Sequence, residues 1–222
     1  MFQKDIHKTA QGDLEIIFVG HASLVFGWAG KIFHVDPVSA EADYAKLPKA
    51  DLIVVTHDHY DHLDLKAVAL LTKPGTAYVA NPGAGEQLEG ATILRNGESA
   101  ETLGAKVEAV PAYNLVQMRA PGQPFHPKGV GNGYVLTFGG MRVYVAGDTE
   151  NIPEMANLRN IDVAFLPMNL PYTMTPEMVA DAARMFKPKI LYPYHTGETD
   201  TSKLKILLKD EKGIDVRLRR MT

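Results

Sequence analysis

Three histidines and two aspartates fall within six positions of this sequence, in the segment THDHYDH at positions 56–62. Their spacing is H-x-H-x-D-H, and the segment directly follows an apolar run at positions 52–55. Imidazole and carboxylate groups at this density in a loop after a strand are typical of a site for divalent metal ions. His57 and His59 can converge on one ion, while Asp61 and His62 can face a second ion. The chemistry that this pattern predicts is metal-assisted hydrolysis.

Two residues far along the chain are expected to join this motif. Asp148 lies in the segment AGDT after an apolar run at 141–145, and His195 follows a second run at 190–194. Hydrolytic metal sites take their ligands from several strand ends and leave one position open for water. Gly147 lets the backbone approach closely beside Asp148, because glycine has no side chain. The order of these residues therefore predicts one site assembled from distant strand ends.

The elements that must position these residues can be predicted from the spacing of apolar residues. Gly139-Gly140 predicts a two-residue hairpin. Thr175 and Pro176 predict the start of a helix that Lys187-Pro188 ends, with Met178, Val179, Ala182 and Phe186 on one face, and a second helix is expected at 65–71. Strands are expected at 14–19, 23–26, 31–35, 52–55, 77–79, 106–110, 133–138, 141–145, 163–166 and 190–194. Strands mixed with amphipathic helices in two similar halves predict two packed sheets with helices outside.

Composition limits the class of protein. The chain has 222 residues, 45% hydrophobic residues and a net charge of −3, which suits one soluble domain over residues 1–222. The slight negative charge argues against a nucleic-acid partner, and no apolar stretch is long enough for a membrane span. The absence of cysteine excludes disulfides and thiol nucleophiles. With no apparent signal peptide, we expect a cytoplasmic location; the oligomeric state is not predicted.

Both ends of the chain are expected to be exposed. His7 is predicted to lie at the surface near a frayed terminus. The basic stretch at 217–220 is predicted to be an exposed strand end, too short to attract an anionic partner.

The motifs together resemble the metallo-β-lactamase superfamily. The resemblance rests on H-x-H-x-D-H at 57–62, on AGDT at 146–149 and on the histidine after a late strand, His195. The segments GHAS at 20–23 and VDPV at 35–38 resemble the ascorbate-6-phosphate lactonase-like branch of that superfamily. The resemblance implies an α/β (α+β) fold, a four-layer αββα sandwich of two mixed β-sheets with helices on the outer faces.

The resemblance also implies a role for each candidate residue. His57 and His59 would hold a first metal ion, and Asp148 would bridge it to a second ion. Asp36 would orient the histidine loop through hydrogen bonds. His21 is either a buried partner near the metals or a core histidine satisfied elsewhere. The second ion would be held by Asp61, His62 and His195.

One position departs from the pattern. The superfamily usually supplies a further histidine for the first metal after a strand in the middle of the chain, and this sequence has Asn114 there. Three interpretations compete: Asn114 coordinates weakly or through water, His126 is the missing ligand, or the first metal is under-coordinated. We favour His126, because imidazole suits zinc better than an amide oxygen.

The predicted enzyme is a hydrolase that uses a metal-bound hydroxide, with Asp61 or Asp148 orienting it and relaying its proton. We expect one or two divalent ions, with zinc favoured by the histidines and manganese or iron by a carboxylate bridge. The substrate is expected to be a small anionic ester, lactone or phosphodiester. Lys128, beside a glycine-rich loop, and Tyr172 are candidates for binding it. The alternative is a non-catalytic metal-binding or sensor module with an impaired first metal site.

Overall fold

The protein is described over residues 2–221 by a computed structural model, in which two seven-stranded β-sheets pack face to face. The first sheet follows chain order and mixes antiparallel and parallel neighbours. Its strands are β1 (Gln3–Thr9), β2 (Gly12–Gly20), β3 (Ser23–Trp28), β4 (Lys31–Val35), β5 (Leu52–Val55), β6 (Ala77–Ala80) and β7 (Thr92–Ile93).

The second sheet is built from the later part of the chain. Its strands are β8 (Ser99–Thr102), β9 (Ala105–Ala112), β12 (Gly131–Phe138), β13 (Met141–Val145), β14 (Val163–Pro167), β15 (Ile190–Tyr194) and β16 (Asp215–Val216). Between β9 and β12 the chain forms a separate two-stranded hairpin of β10 (Met118–Ala120) and β11 (Gln123–Pro124). The spatial order is β16-β15-β14-β13-β12-β9-β8. This sheet is also mixed, because β13, β14 and β15 run parallel while β12 is antiparallel to β13.

The helices lie outside the two sheets, which gives the four-layer αββα sandwich that the sequence predicted. They are α1 (Leu65–Leu71), α2 (Pro82–Gly85), α3 (Pro176–Phe186) and α4 (Ser202–Leu207), with 3-10 turns at Tyr44–Lys46 and Pro153–Asn157. One apolar cluster fills the space between the sheets and includes Phe26, Phe138 and Phe165. A second cluster packs α3 and α4 on one sheet, and a third packs α1 on the other.

Local sequence explains the best-predicted elements. The Thr175 hydroxyl accepts the Met178 backbone N–H at 3.1 Å, which caps α3, and Phe186 lies on its buried face. Gly139-Gly140 joins β12 to β13 in a two-residue hairpin, with positive φ at both glycines. Such turns favour glycine because both central residues are left-handed. The longest helix, α3, has 11 residues, and over residues 2–221 no helix has the length and apolarity needed to cross a membrane.

The prediction for both ends of the chain was wrong. His7 lies in β1 and is buried, with Nε2 3.4 Å from the Tyr192 hydroxyl. Only 215–216 of the C-terminal segment form a strand, and Arg219 folds back to bond the Asp5 carboxylate at 2.7 Å and 2.9 Å. The Arg219 guanidinium also lies 5.6 Å from the centre of the Tyr192 ring. The segments that carry Asp5 and Arg219 therefore hold each other in place instead of fraying.

Strand direction explains why the candidate site residues meet. Asp36 follows β4 and Thr56 follows β5, two parallel neighbours whose ends lie at the same edge. Asp148 follows β13 and His195 follows β15, which run parallel on either side of β14. Hydrogen bonds join the two sheets at this edge, including one from the Asn132 N–H to the Thr56 carbonyl at 3.0 Å. The loops after these strands consequently form one cluster.

Candidate metal centre

A first group of three histidines forms at this edge. His57, His59 and His126 each offer a ring nitrogen, and the three nitrogens lie within 4.8 Å of one another. The histidine that we favoured, His126, thus lies with His57 and His59, and Asn114 is not part of this group. His57 and His126 are buried, and His59 is partly exposed toward the solvent. Three converging imidazoles are a common ligand set for zinc.

A second group lies beside the first. It contains His21, Asp61, His62 and His195, whose ligand atoms again lie within 4.8 Å of one another. His21 therefore lies inside the cluster, with Nε2 3.2 Å from Asp61 Oδ2, and not in the separate core environment that was its alternative.

Asp148 stands between the two groups. One of its oxygens, Oδ1, lies 3.3 Å from His62 Nε2. The other, Oδ2, lies 3.2 Å from His126 Nε2 and 3.4 Å from His195 Nε2. A single carboxylate thus faces histidines of both groups, which is the position required of a residue that bridges two ions.

The donor atoms of this cluster fit metal ions better than they fit each other. Two ligands that bind one tetrahedral zinc at about 2.0–2.1 Å are separated by about 3.3 Å. The distances from Asp148 to its three histidine neighbours, 3.2–3.4 Å, match that separation. Among the buried atoms that lack a hydrogen-bond partner are His57 Nε2, His62 Nε2, Asp148 Oδ1 and both ring nitrogens of His195. Buried polar atoms rarely remain unpaired, so these residues fit divalent ions as their partners.

A buried hydrogen-bond network sets the orientation of His57 and His62. Asp36 accepts the Thr56 backbone N–H at 2.8 Å and the Thr56 hydroxyl at 2.7 Å. Its Oδ2 also lies 2.8 Å from His62 Nδ1, and Thr56 Oγ1 lies 3.0 Å from His57 Nδ1. Because the Thr56 hydroxyl donates to Asp36, its oxygen accepts from His57, and Nδ1 of each histidine carries the proton. Nε2 of His57 and Nε2 of His62 are consequently the ring atoms left to face a metal.

Asn114 does the same for His126. The Asn114 side-chain NH₂ faces only acceptors, Glu150 Oε1 at 3.1 Å and the Tyr172 carbonyl at 2.9 Å. Its oxygen accepts the His126 backbone N–H at 2.8 Å and lies 2.7 Å from His126 Nδ1. Since that oxygen cannot donate, Nδ1 carries the proton and Nε2 is left for a ligand role. The oxygen of Asn114 is thereby fully engaged, and the residue positions His126 instead of replacing it.

Glu150 is a functional residue that the sequence reasoning missed. It is fully buried, and its carboxylate accepts the backbone N–H groups of Leu115, Val116 and Gln117 at 2.6–2.9 Å. It also accepts from Asn114, so it fixes the whole 114–117 loop. The only indication in the sequence was its place two residues after Asp148, since loop residues near a predicted ligand often support it.

Three residues of this site have left-handed backbone. His21, Asp36 and His195 all have positive φ, at 48°, 45° and 46°. Left-handed backbone costs a non-glycine residue of order 1–3 kcal/mol and persists only where the surroundings enforce it. The His195 N–H donates to the His21 carbonyl at 2.9 Å, which ties two of these residues together. At Gly147 a side chain would meet the Asn132 carbonyl at 2.6 Å, so glycine is required where the backbone carrying Asp148 turns.

Electrostatics set the protonation of the ligand residues before a cation binds. Burial, with neighbouring His62, holds the pKa of His57 well below its usual value, so this ring is neutral near pH 7. Burial alone would raise the pKa of Asp148, but His195 and His62 outweigh it and hold that pKa well below its usual value. Burial would likewise lower the pKa of His62, but Asp148 and Asp36 hold it well above its usual value. A metal ion that binds here would displace the His62 proton.

The cluster opens into a cavity of about 550 Å³, large enough for a small molecule. Tyr172, a candidate for binding the substrate, lies in its wall. Lys128 does not line this cavity; its ammonium group bonds Glu154 at 2.7 Å and lies over the Tyr113 ring. The positive charge of Lys128, which was predicted to bind a substrate anion, is therefore already neutralised by the ion pair with Glu154. Beside the cluster, the wall is formed by Asp58, Tyr60, Arg119, Phe125, Asn169 and Tyr172.

Comparison with known proteins agrees with this geometry. Residues 15–195 match the family model described as the beta-lactamase superfamily domain. A UPF0173 metal-dependent hydrolase of Anaeromyxobacter sp. (strain K) is 31% identical over 212 residues, covering 86% of this chain and 77% of the relative. A crystal structure from Parabacteroides distasonis ATCC 8503, provisionally named a metal-dependent hydrolase, superimposes with a TM-score of 0.95 and 50% identity over the whole of both chains.

A more distant structure supports the fold alone. It is Igni18, a metallo hydrolase of Ignicoccus hospitalis KIN4/I, with a TM-score of 0.78 and 23% identity. The alignment covers 94% of this chain and 95% of Igni18.

Proposed function

This chain belongs to the metallo-β-lactamase superfamily and to its metal-dependent hydrolases, and we propose that it hydrolyses a small anionic ester, lactone or phosphodiester with one or two divalent ions. The observation that carries the proposal is the position of Asp148 between two histidine groups, in which Nε2 of His57, His62 and His195 has no hydrogen-bond partner. Divalent ions in such a site lower the pKa of a coordinated water toward about 7 and polarise the oxygen under attack.

The residues of this chain divide the remaining work. Asp61 borders the cavity and is partly exposed, so its carboxylate can orient an attacking water and take its proton. Asp148 is almost fully enclosed by histidines and serves to hold the two groups together. Asp36 and Asn114 keep Nδ1 protonated on His62 and His126, which fixes the direction of their Nε2 lone pairs.

The choice of metal and substrate rests on chemistry. Zinc is supported by the predominance of imidazole nitrogen in the cluster, while manganese or iron would suit the bridging carboxylate of Asp148. A cavity of about 550 Å³ supports a small-molecule substrate instead of a nucleic acid. The cytoplasmic location and the absence of a membrane partner stay predictions.

The non-catalytic alternative has lost its specific support. It rested on Asn114 standing where a metal-binding histidine was expected. His126 lies with His57 and His59 in one group, and Asn114 holds its ring. This grouping of three histidines supports a competent first site over an impaired one.

Metal content and turnover measured together test the proposal. The protein, loaded with zinc or with manganese, would be assayed on bis(4-nitrophenyl) phosphate, 4-nitrophenyl butyrate and a panel of lactones. We expect turnover of at least one class, its loss on chelation and dialysis, and its return on adding metal. The variant His59→Ala should lose turnover, while the control His7→Gln, outside the cluster, should keep it. Turnover that survives chelation would overturn the mechanism, and full metal loading without turnover would favour the non-catalytic alternative.

A further inference from the structure

We propose that Arg119 binds a second anionic group of the substrate, carried on a flat apolar segment and distinct from the group that is hydrolysed. This inference deepens the proposed function, on which it rests, by naming the substrate class as an aromatic or apolar molecule with a carboxylate or phosphate remote from the scissile bond. Arg119 is the only lysine or arginine that lines the cavity, as described over residues 2–221.

The charge of Arg119 is not neutralised by the protein. Its guanidinium makes no ion pair among residues 2–221, and its one hydrogen bond, to the Phe125 carbonyl, is long at 3.5 Å. By contrast, Arg142 pairs with Glu108 at 2.8 Å and Arg219 pairs with Asp5 at 2.7 Å. A guanidinium presents its donors in a planar fork that matches a carboxylate or phosphate. At the cavity wall, Arg119 therefore retains its capacity to bind an anion.

The Arg119 guanidinium packs against an aromatic side chain of the cavity wall. The Arg119 guanidinium carbon stands 5.7 Å from the centre of the Phe125 ring. Phe125 packs edge-on against Tyr172, with ring centres 5.1 Å apart, and it directly precedes His126 in the chain. Arg119 thus packs on the residue next to His126, a histidine of the first group. An anion at Arg119 would consequently be a remote group, bound beside the reacting centre and not at it.

The same wall supplies contacts for an apolar segment. Tyr60 and Tyr172 are exposed in the cavity wall, and Tyr60 belongs to the histidine loop. Aromatic faces that remain exposed around a polar site are typical of ligand recognition. Arg119 lies on β10 of the small hairpin, which pairs with neither large sheet. A substrate that bridges the metals and Arg119 would therefore also pack against this aromatic wall.

Matched inhibitors test the inference with the zinc-loaded protein. Affinity would be measured by calorimetry for phenylphosphonate, 4-carboxyphenylphosphonate and 4-carboxybenzylphosphonate, whose phosphonate occupies the metals while the carboxylate probes Arg119. In wild type we expect the better-fitting carboxylate to tighten binding by about 10- to 100-fold, as for one charge-assisted contact. That gain should vanish in Arg119→Ala and shrink in Arg119→Lys. It should persist in Arg159→Ala, which removes an exposed arginine that bonds only backbone carbonyls.

The outcomes separate this inference from the proposed function. Phenylphosphonate that binds the zinc-loaded but not the chelated protein supports the metal site whatever Arg119 does. A carboxylate gain that is absent from wild type for both probes, or that is equal in Arg119→Ala, would overturn the role of Arg119 alone. Phenylphosphonate that binds equally with and without zinc would contradict the proposed function and the inference together.

Discussion

Asn114 and His126 are joined by three contacts, although they are twelve positions apart. The Asn114 N–H donates to the His126 carbonyl at 2.9 Å, and the Asn114 side-chain oxygen accepts the His126 N–H at 2.8 Å. The same oxygen lies 2.7 Å from His126 Nδ1. Asn114, which stands where a metal-binding histidine was expected, therefore orients another histidine of the first group, His126. The histidine stands in a different segment from the one expected, and the residue at the expected position supports it.

Removing the Asn114 side chain should weaken the first metal group. Asn114→Ala leaves Nδ1 of His126 without its acceptor, so the ring can adopt the other tautomer or rotate. We expect zinc affinity at this group to fall by about 10- to 100-fold, as is typical when a ligand histidine loses its hydrogen-bond partner. Competition with a chromophoric chelator measures this. The control Asn157→Ala, on an exposed 3-10 turn, should bind as wild type does, and wild-type affinity in Asn114→Ala would contradict the role.

Glu150→Gln should damage both stability and metal binding. The glutamine NH₂ would face backbone N–H groups that now donate to a carboxylate, leaving buried donors unpaired. We expect unfolding in denaturant to show a loss of about 2–3 kcal/mol. Zinc affinity should also fall, because the loop that carries Asn114 loosens. A variant that loses stability but keeps the affinity of wild type would limit Glu150 to a structural role.

The sequence predicts the parts of this molecule that depend on near neighbours. The ten predicted strands, the Gly139-Gly140 hairpin and helix α3 follow from spacing and from capping residues a few positions apart. The convergence of the 57–62 motif, Asp148 and His195 follows from the rule that loops after parallel strands share an edge. Local pattern was sufficient for these elements and for the expectation of one site at several strand ends, while the four-layer sandwich and the role of each ligand came from the resemblance to the superfamily.

Long-range pairings explain what the sequence did not predict. Strand β1 has only one buried side chain, His7, so it lacks the apolar alternation that marks a strand. The ion pair that holds this strand joins Asp5 to Arg219, 214 positions away. Glu150 supports a loop 33–36 positions earlier in the chain. The partner of Lys128 is Glu154, which lies 26 positions later in the chain. None of these pairings leaves a periodic pattern in the sequence.

His34 should make stability depend on pH outside the metal site. Burial lowers its pKa to about 4, while its Nε2 lies 3.0 Å from the Pro48 carbonyl. Between pH 6.5 and 4 the unfolded chain binds the proton more readily, so stability falls as pH falls. Relative to His34→Gln, the metal-free wild type should lose about 2 kcal/mol between pH 7 and pH 5. Parallel denaturation curves for the two proteins would contradict this account, because the remaining histidines contribute equally to both.

Metal binding should stabilise the fold, because the unfolded chain lacks the assembled site. At a free zinc concentration about 1,000 times Kd, we expect about 4 kcal/mol of stabilisation. For a domain of this size that corresponds to a rise in Tm of roughly 8–16 °C. The double variant His59→Ala/His195→Ala removes one ligand from each group and should show little of this rise. An equal rise in wild type and in the double variant would indicate zinc binding elsewhere.

Anomalous scattering from crystals grown with zinc tests the central claim most directly, namely that Asp148 stands between two ion positions. We predict one peak within bonding distance of His57, His59 and His126, and a second within bonding distance of Asp61, His62 and His195. Asp148 should touch both, and Asn114 neither. A map in which these imidazoles surround no peak, although zinc is abundant, would contradict the account.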